Sequence, residues 1–216
     1  MLCKGHEGRL ENVRMTKWVP DEELMLQVRA GTSESLGVLF DRYQKRLFNF
    51  YSKMTGNRTV SEDLVQEVFL RLLKYRQTYT PGTPFRAWVY QIARNARFDQ
   101  LRKQRPEAEL SAAREGFTLP GDPAQRRQES SLLHQALLQL PEEKREVLVM
   151  SRFQDLKYEE IARLVGCEVG AVKVRVYRAL QELKESFRRL QASGSARALN
   201  AAGEKQNLPR GAGHGL

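Results

Sequence analysis

Over residues 21–105 and again over 128–190 the large apolar residues recur at steps of three and four, and no segment alternates apolar with polar as a strand would. That one period decides the fold class. A chain that reads this way is all-α, cut into helices wherever glycine, asparagine or proline stops it. "PDEELMLQVRAG" opens with Asp21 as the expected N-cap and ends at Gly31. "SESLGVLFDRYQKRLFNFYSKMTGN" predicts a longer helix stopped by Gly56 and Asn57. Thr59 and Glu62 have capping-box spacing ahead of "LVQEVFLRLLKYR". After the turn-rich "QTYTPGTP", a fourth helix is expected from Phe85 to Gln104.

The period then stops. Between Pro106 and Gln125 lie three prolines and two glycines, the composition of a flexible linker. It resumes at "ESSLLHQALLQL" and continues past Pro141. The expectation is two small helical domains, 21–105 and 128–190, joined by a flexible linker over 106–127. A frayed extension, 1–20, precedes them. The Gly- and Ala-rich tail, 191–216, has too few large apolar residues to pack and is expected to be disordered.

A formal charge of +10 and a pI near 9.8 favour a polyanionic partner. Cys3 and Cys167 make no disulfide framework, which fits a reducing cytosol. The first residues lack a signal-peptide core and no run approaches membrane-spanning length, so a soluble cytoplasmic protein without membrane insertion is expected. His6, His134 and His214 are scattered, and nothing has metal-ligand or triad spacing. Cys3 and His6 suggest no more than half a metal site. No enzyme activity, metal or cofactor is expected.

Three stretches carry more than packing. In "IARLVGCEVGAVKVRVYRAL", Ile161, Ala162 and Val165 form one apolar stripe and Gly166 the turn. Val169, Val172, Val176, Leu180 and Leu183 form the stripe of the next helix. Val174, Tyr177 and Arg178 rotate away from that stripe, with Lys173 at its border. This is the pattern of a helix–turn–helix whose second helix can enter a major groove. A plain helical hairpin with a charged solvent face is the simpler alternative. Cys167 fills a slot for a small apolar side chain.

The helix beginning "SEDLVQEVFL" holds three acids and no base in its first ten residues, although the protein is basic. Asp63, Gln66, Glu67 and Leu70 share a face suited to a protein partner, or simply to water. The helix "PFRAWVYQIARNARFDQLRKQR" is the reverse, with six bases and one acid, Asp99, over residues 84–105. Phe85, Trp88, Val89, Ile92 and Ala96 make its core stripe. Tyr90, Arg94, Arg97 and Phe98 lie opposite, an aromatic–basic mixture suited to single-stranded nucleic acid. Packing of Tyr90 and Phe98 on the first long helix is the competing expectation, and for Phe98 the preferred one.

In this order and spacing, "EDLVQEVFLRLLK", "TPFRAWVYQIARNARFDQLRK" and "LPEEKREVLVMSRFQDLKYEEIARLVGCEVGAVKVRVYRAL" resemble the extracytoplasmic-function (ECF) sigma factors of bacterial RNA polymerase. The resemblance covers roughly residues 21–190. It implies that Asp63, Gln66, Glu67 and Leu70 dock on the clamp of the largest subunit of core polymerase. It implies that Tyr79, Tyr90, Ile92, Arg94, Asn95 and Arg97 serve the minus-ten element, where a base is flipped from the melted strand. It places Lys173, Val174, Tyr177 and Arg178 at the minus-thirty-five element, in a domain that also touches the polymerase flap. Promoter DNA, duplex and melted, is then a partner, and the resemblance admits an anti-sigma factor as a regulator. Val174 stands where the family often has serine, the "YTPGTPF" loop is short, and the tail has no counterpart in the family core. A two-domain helix–turn–helix regulator outside polymerase is the alternative. A recombinase lacks a nucleophile motif.

Overall fold

The computed structural model describes residues 18–104 and 124–206, with side chains over 18–103 and 129–193. Eight α-helices and one 3-10 turn account for nearly all of them, and no strand occurs among the described residues. They are α1 (Asp21–Ala30), α2 (Ser33–Thr55), α3 (Arg58–Lys74), the 3-10 turn Arg76–Thr78 and α4 (Phe85–Gln104). After the gap come α5 (Ala124–Gln139), α6 (Glu142–Arg152), α7 (Tyr158–Val165) and α8 (Val169–Gln206).

The helix ends show which local signals were decisive. Gly31 and Gly56 cap α1 and α2 in the left-handed region, at φ 107° and 68°, where a side chain is disfavoured. Asp21 does not cap α1. Pro20 takes the N-cap position, and the Asp21 carboxylate instead accepts from the Tyr43 hydroxyl at 2.6 Å and pairs with Arg42. A charge-assisted bond across to α2 outcompetes a local cap. Nor does the Thr59–Glu62 box start α3. Asn57 does, its side-chain oxygen accepting from Val60 N at 3.0 Å, and Glu62 pairs with Arg58 at 2.9 Å. Asn is among the strongest N-caps, so its position two residues earlier prevails.

In the N-terminal half, α2, α3 and α4 pack around Leu39, Leu47, Phe50, Tyr51, Val68, Leu72, Val89 and Ala93. The Tyr51 hydroxyl donates to the Ala93 carbonyl at 2.8 Å, a buried bond tying α2 to α4. In the C-terminal half, Val172, Val176, Ala179 and Leu183 of α8 close over Leu148, Ile161 and Leu164. α8 buries one stripe and shows its other side to water.

The linker and extension lie largely outside the described residues, which resume at 124 with α5, four residues before the expected domain edge. The tail differs from its expectation. α8 carries straight on from residue 190 to Gln206 instead of ending with the domain. The alanines of that segment favour a helix once α8 has nucleated it. No helix of the described residues is long and apolar enough to cross a membrane.

Candidate nucleic-acid interface

α8 meets the turn after α7 at Gly166, whose φ of 68° lets the chain reverse tightly. Its buried stripe fixes the rotation of the helix. Lys173, Val174, Tyr177 and Arg178 are therefore exposed together, Tyr177 at 64% and Val174 at 47%. Arg175 belongs to the same solvent face, and Arg163 of α7 stands with Cys167 and Val169 at the mouth of the helix–turn–helix concavity. Neither arginine was singled out from the sequence; Arg163 joins this surface only where α7 and α8 meet. Cys167 is half-buried against the core.

On α3, Asp63, Gln66 and Leu70 are exposed and Glu67 half-buried, with Leu64, Val65, Val68 and Leu72 buried behind them. Leu70, 62% exposed, stands out of the acidic face, with Leu73 partly exposed in the following turn. A groove beside it is lined by Phe40, Phe48, Val65 and Gln66. This is an acidic surface with an apolar centre. Glu67 accepts from Arg71 Nε at 2.6 Å, so part of its charge is already engaged.

α4 divides the remaining candidates. Ile92 and Asn95 line an open cavity of about 330 Å³ with Arg71, Tyr75, Phe98 and Asp99. Arg71 Nη1 donates to Asp99 at 2.7 Å, and Asp99 also accepts from Arg102 at 2.9 Å. The Arg71 hydrogen bond first, and then the positive charges of Arg71, Arg102 and Lys103, hold the Asp99 carboxyl below the usual range. Burial would lower the Arg71 guanidinium, but its bonds to Glu67 and Asp99 prevail and raise it. The cavity so combines a fixed cation, a carboxylate, an amide and two rings, with Tyr75 and Phe98 each 43% exposed. Phe98 was expected in a buried seam. Its ring instead carries the Arg94 guanidinium at 4.8 Å, facing water because the α2–α4 seam is already filled by Tyr51 and Tyr90.

Tyr79 and Tyr90 do not line this cavity. Tyr79 is buried between Phe85 and Trp88, its hydroxyl donating to the Thr83 carbonyl and its own carbonyl accepting from Arg29 at 2.9 Å. Burial pushes its hydroxyl up to about 12. Tyr90 packs edge-on to Phe50 at 5.6 Å and donates to Gln154, and burial again raises it. Arg94 and Arg97 are turned away from water as well. Arg94 meets Glu146 at 3.0 Å, and Arg97 stands 3.6 Å from Glu142, burial lowering its guanidinium. Among the described residues no group of acids, histidines and cysteines could hold a metal ion.

These two halves match known families in the same order. Residues 39–107 match Sigma-70 region 2 and residues 130–183 match Sigma-70, region 4. The chain is 36% identical over 164 residues to the RNA polymerase sigma factor CarQ of Myxococcus xanthus, covering 74% of this chain and 94% of that protein. It is 29% identical over 177 residues to the ECF RNA polymerase sigma factor SigW of Bacillus subtilis, covering 76% and 95%. Among solved structures it is similar to the sigma factor RpoE bound to the anti-sigma factor NepR from Bartonella quintana. That likeness has a TM-score of 0.59 and 25% identity, over 70% of this chain and 96% of the other. With both regions present in order, an all-α fold and a relative matched over nearly its whole length, the chain belongs to the ECF family of RNA polymerase sigma factors.

Proposed function

We propose that this alternative sigma factor divides promoter recognition between its halves. α8 reads the minus-thirty-five element as duplex, and the Asn95 cavity of α4 receives a base unpaired from the minus-ten element. The observation that carries the reading is that cavity. It is open to water, it joins an amide able to donate and accept to two exposed rings, and it stands beside a helix rich in arginine. A flipped base needs an edge partner and a face to stack on, and here Asn95 supplies the first and Tyr75 or Phe98 the second. The Arg71 guanidinium adds a donor for a base carbonyl or a phosphate. Tyr79 and Tyr90 support the cavity from within the core, holding α4 and the loop before it.

The acidic face of α3 is the docking site for the clamp of core polymerase, and the C-terminal half touches the flap. An anti-sigma factor fits as regulator, since RpoE is seen with one. The protein acts in the cytoplasm, as an initiation factor and not as an enzyme.

Permanganate footprinting with core polymerase tests the cavity. Asn95→Ala and Tyr75→Ala are expected to bind core normally yet to leave minus-ten thymines unreactive on duplex promoters. The lost stacking is on the order of 1–3 kcal/mol for the ring. A pre-melted template should restore only part of the loss, because it removes the unpairing cost but not the missing contact. Wild-type opening of the duplex by both variants would place the pocket elsewhere.

A further inference from the structure

α1 reaches the loop that precedes α4 at both of its ends. At the far end, the Glu22 carboxylate accepts from Phe85 N at 3.0 Å, across 63 residues of chain. At the near end, Arg29 Nη1 donates to the Tyr79 carbonyl at 2.9 Å, and Gln77 Nε2 donates to the Arg29 carbonyl at 3.1 Å. Glu22 and Arg29 stand about 10 Å apart along α1, so one helix spans the loop. α4 has little of its own with which to start. Pro84 brings no side-chain oxygen, and the Thr83 hydroxyl is turned to that of Thr80 at 2.8 Å. The first amides of a helix need an acceptor from elsewhere, and an anion there also meets the positive end of the helix dipole. Glu22 supplies both. Its charge is felt within the loop, where it comes next after burial in raising the Tyr79 hydroxyl. Asp21 beside it accepts from Tyr43 and pairs with Arg42 of α2, which fixes the turn from which Glu22 reaches out.

The loop between these two grips is preformed. Thr83 N donates to the Thr80 carbonyl at 3.2 Å, with Pro81 and Gly82 between them and Gly82 at a φ of 82°. That order of residues and that φ are those of a type II turn. The Tyr79 hydroxyl closes on the Thr83 carbonyl beneath it. Thr80, Pro81 and Gly82 are exposed, whereas Tyr79 and Phe85 on either side are buried. A turn that buries nothing at its tip, yet is tied at each base to a third element, is held for its shape.

We propose that Glu22 and Arg29 are positioning residues for the minus-ten face, holding the Thr80–Gly82 turn and the first turn of α4 in the one arrangement that the unpaired strand meets. A loop ordered beforehand loses little freedom on binding, so the contacts it makes are not spent on ordering it. Phe85 lies about 15 Å from Asn95 along α4, and the turn therefore serves a different nucleotide from the one the cavity receives. The positioning role rests on reading α4 and the loop before it as the minus-ten face, whereas the grip stands on the hydrogen bonds alone.

Amide hydrogen exchange of the full chain reads the grip. Glu22→Ala and Arg29→Ala should each speed exchange across residues 79–85 by about five-fold, the share of one hydrogen bond. Glu22→Gln, which keeps an acceptor oxygen, should restore most of the protection. Exchange at the wild-type rate in both alanine variants overturns the grip. The positioning role has its own readout. Assembled with core polymerase, both alanine variants should bind core and a minus-thirty-five duplex as wild type does, yet bind a fluorescent minus-ten single strand about five-fold more weakly. Glu22→Gln should recover that binding. Equal losses in all three measurements would be a structural defect and overturn the role. Arg29→Ala carries the test should Glu22→Ala lose its helical circular dichroism. Salt separates positioning from contact. Arg29→Ala should leave the slope of log affinity against log salt unchanged, and a slope shallower by about one would make Arg29 a phosphate ligand instead. Faster exchange with wild-type strand binding overturns the positioning role alone if Asn95→Ala weakens binding in the same assay. Should Asn95→Ala also bind as wild type, the α4 reading falls with it.

Discussion

Single residues of this protein separate into those that hold a surface and those that are one. Arg178 and Val174 project from α8 into water with no structural partner among the described residues, so their variants report on DNA. Arg178→Ala should weaken promoter binding by about 1–3 kcal/mol at one position if it meets a base edge. Val174→Ser should shift preference at one base pair, since it exchanges an apolar contact suited to a thymine methyl for a hydroxyl. A randomised minus-thirty-five library that returns the wild-type preference for both would remove α8 from the upstream element. Tyr79 behaves in the opposite way. Enclosed by Phe85 and Trp88, it should cost about 3–5 kcal/mol of stability as Tyr79→Ala, whereas Tyr79→Phe should cost about 1 kcal/mol for its hydrogen bond to the Thr83 carbonyl. Thermal melts measure both. Equal losses in the two variants would show that the ring is not packed.

At the scale of elements, period alone was enough to read most helices, because each buries a single stripe that the sequence repeats. α4 was legible from Phe85 to Gln104, and so was the exposed face of α8. What the sequence left illegible is decided between elements. Asp21 looks like a cap until Tyr43 and Arg42 arrive from α2. Phe98 looks like core until the space is found filled. Tyr75, Arg71 and Asp99 come from two helices and meet at Asn95 only in the fold. The acidic face of α3 was legible as a surface, since Asp63 and Gln66 share a rotation that α3 never turns inward. Its role is testable within that one element. Asp63→Lys with Glu67→Lys should abolish capture by core polymerase while leaving helical circular dichroism intact, because neither carboxylate is core. Capture at the wild-type level would remove this face from the interface.

The whole molecule was the least legible scale. Nothing in the spacing of Glu142, Glu146 and Glu160 announces that they meet arginines 45 to 74 residues earlier, yet those pairs define how the halves lie together. The continuation of α8 into the segment after residue 190 was also missed, since composition reports the lack of a core and not the lack of a helix. Removing residues 191–216 should leave promoter opening in vitro unchanged, with run-off transcript yield as the measure, because the described core ends before them. A transcript yield that falls with the deletion would give that segment a part in initiation.

The division of labour between the halves is the central claim, and one selection addresses it. Core polymerase carrying this chain would transcribe a library randomised across both promoter elements, and the transcribed templates would be sequenced. Wild type should enrich two separated motifs, Arg178→Ala should blur the upstream motif alone, and Asn95→Ala should blur the downstream motif alone. A single enriched motif, or two motifs that respond together to either substitution, would contradict it.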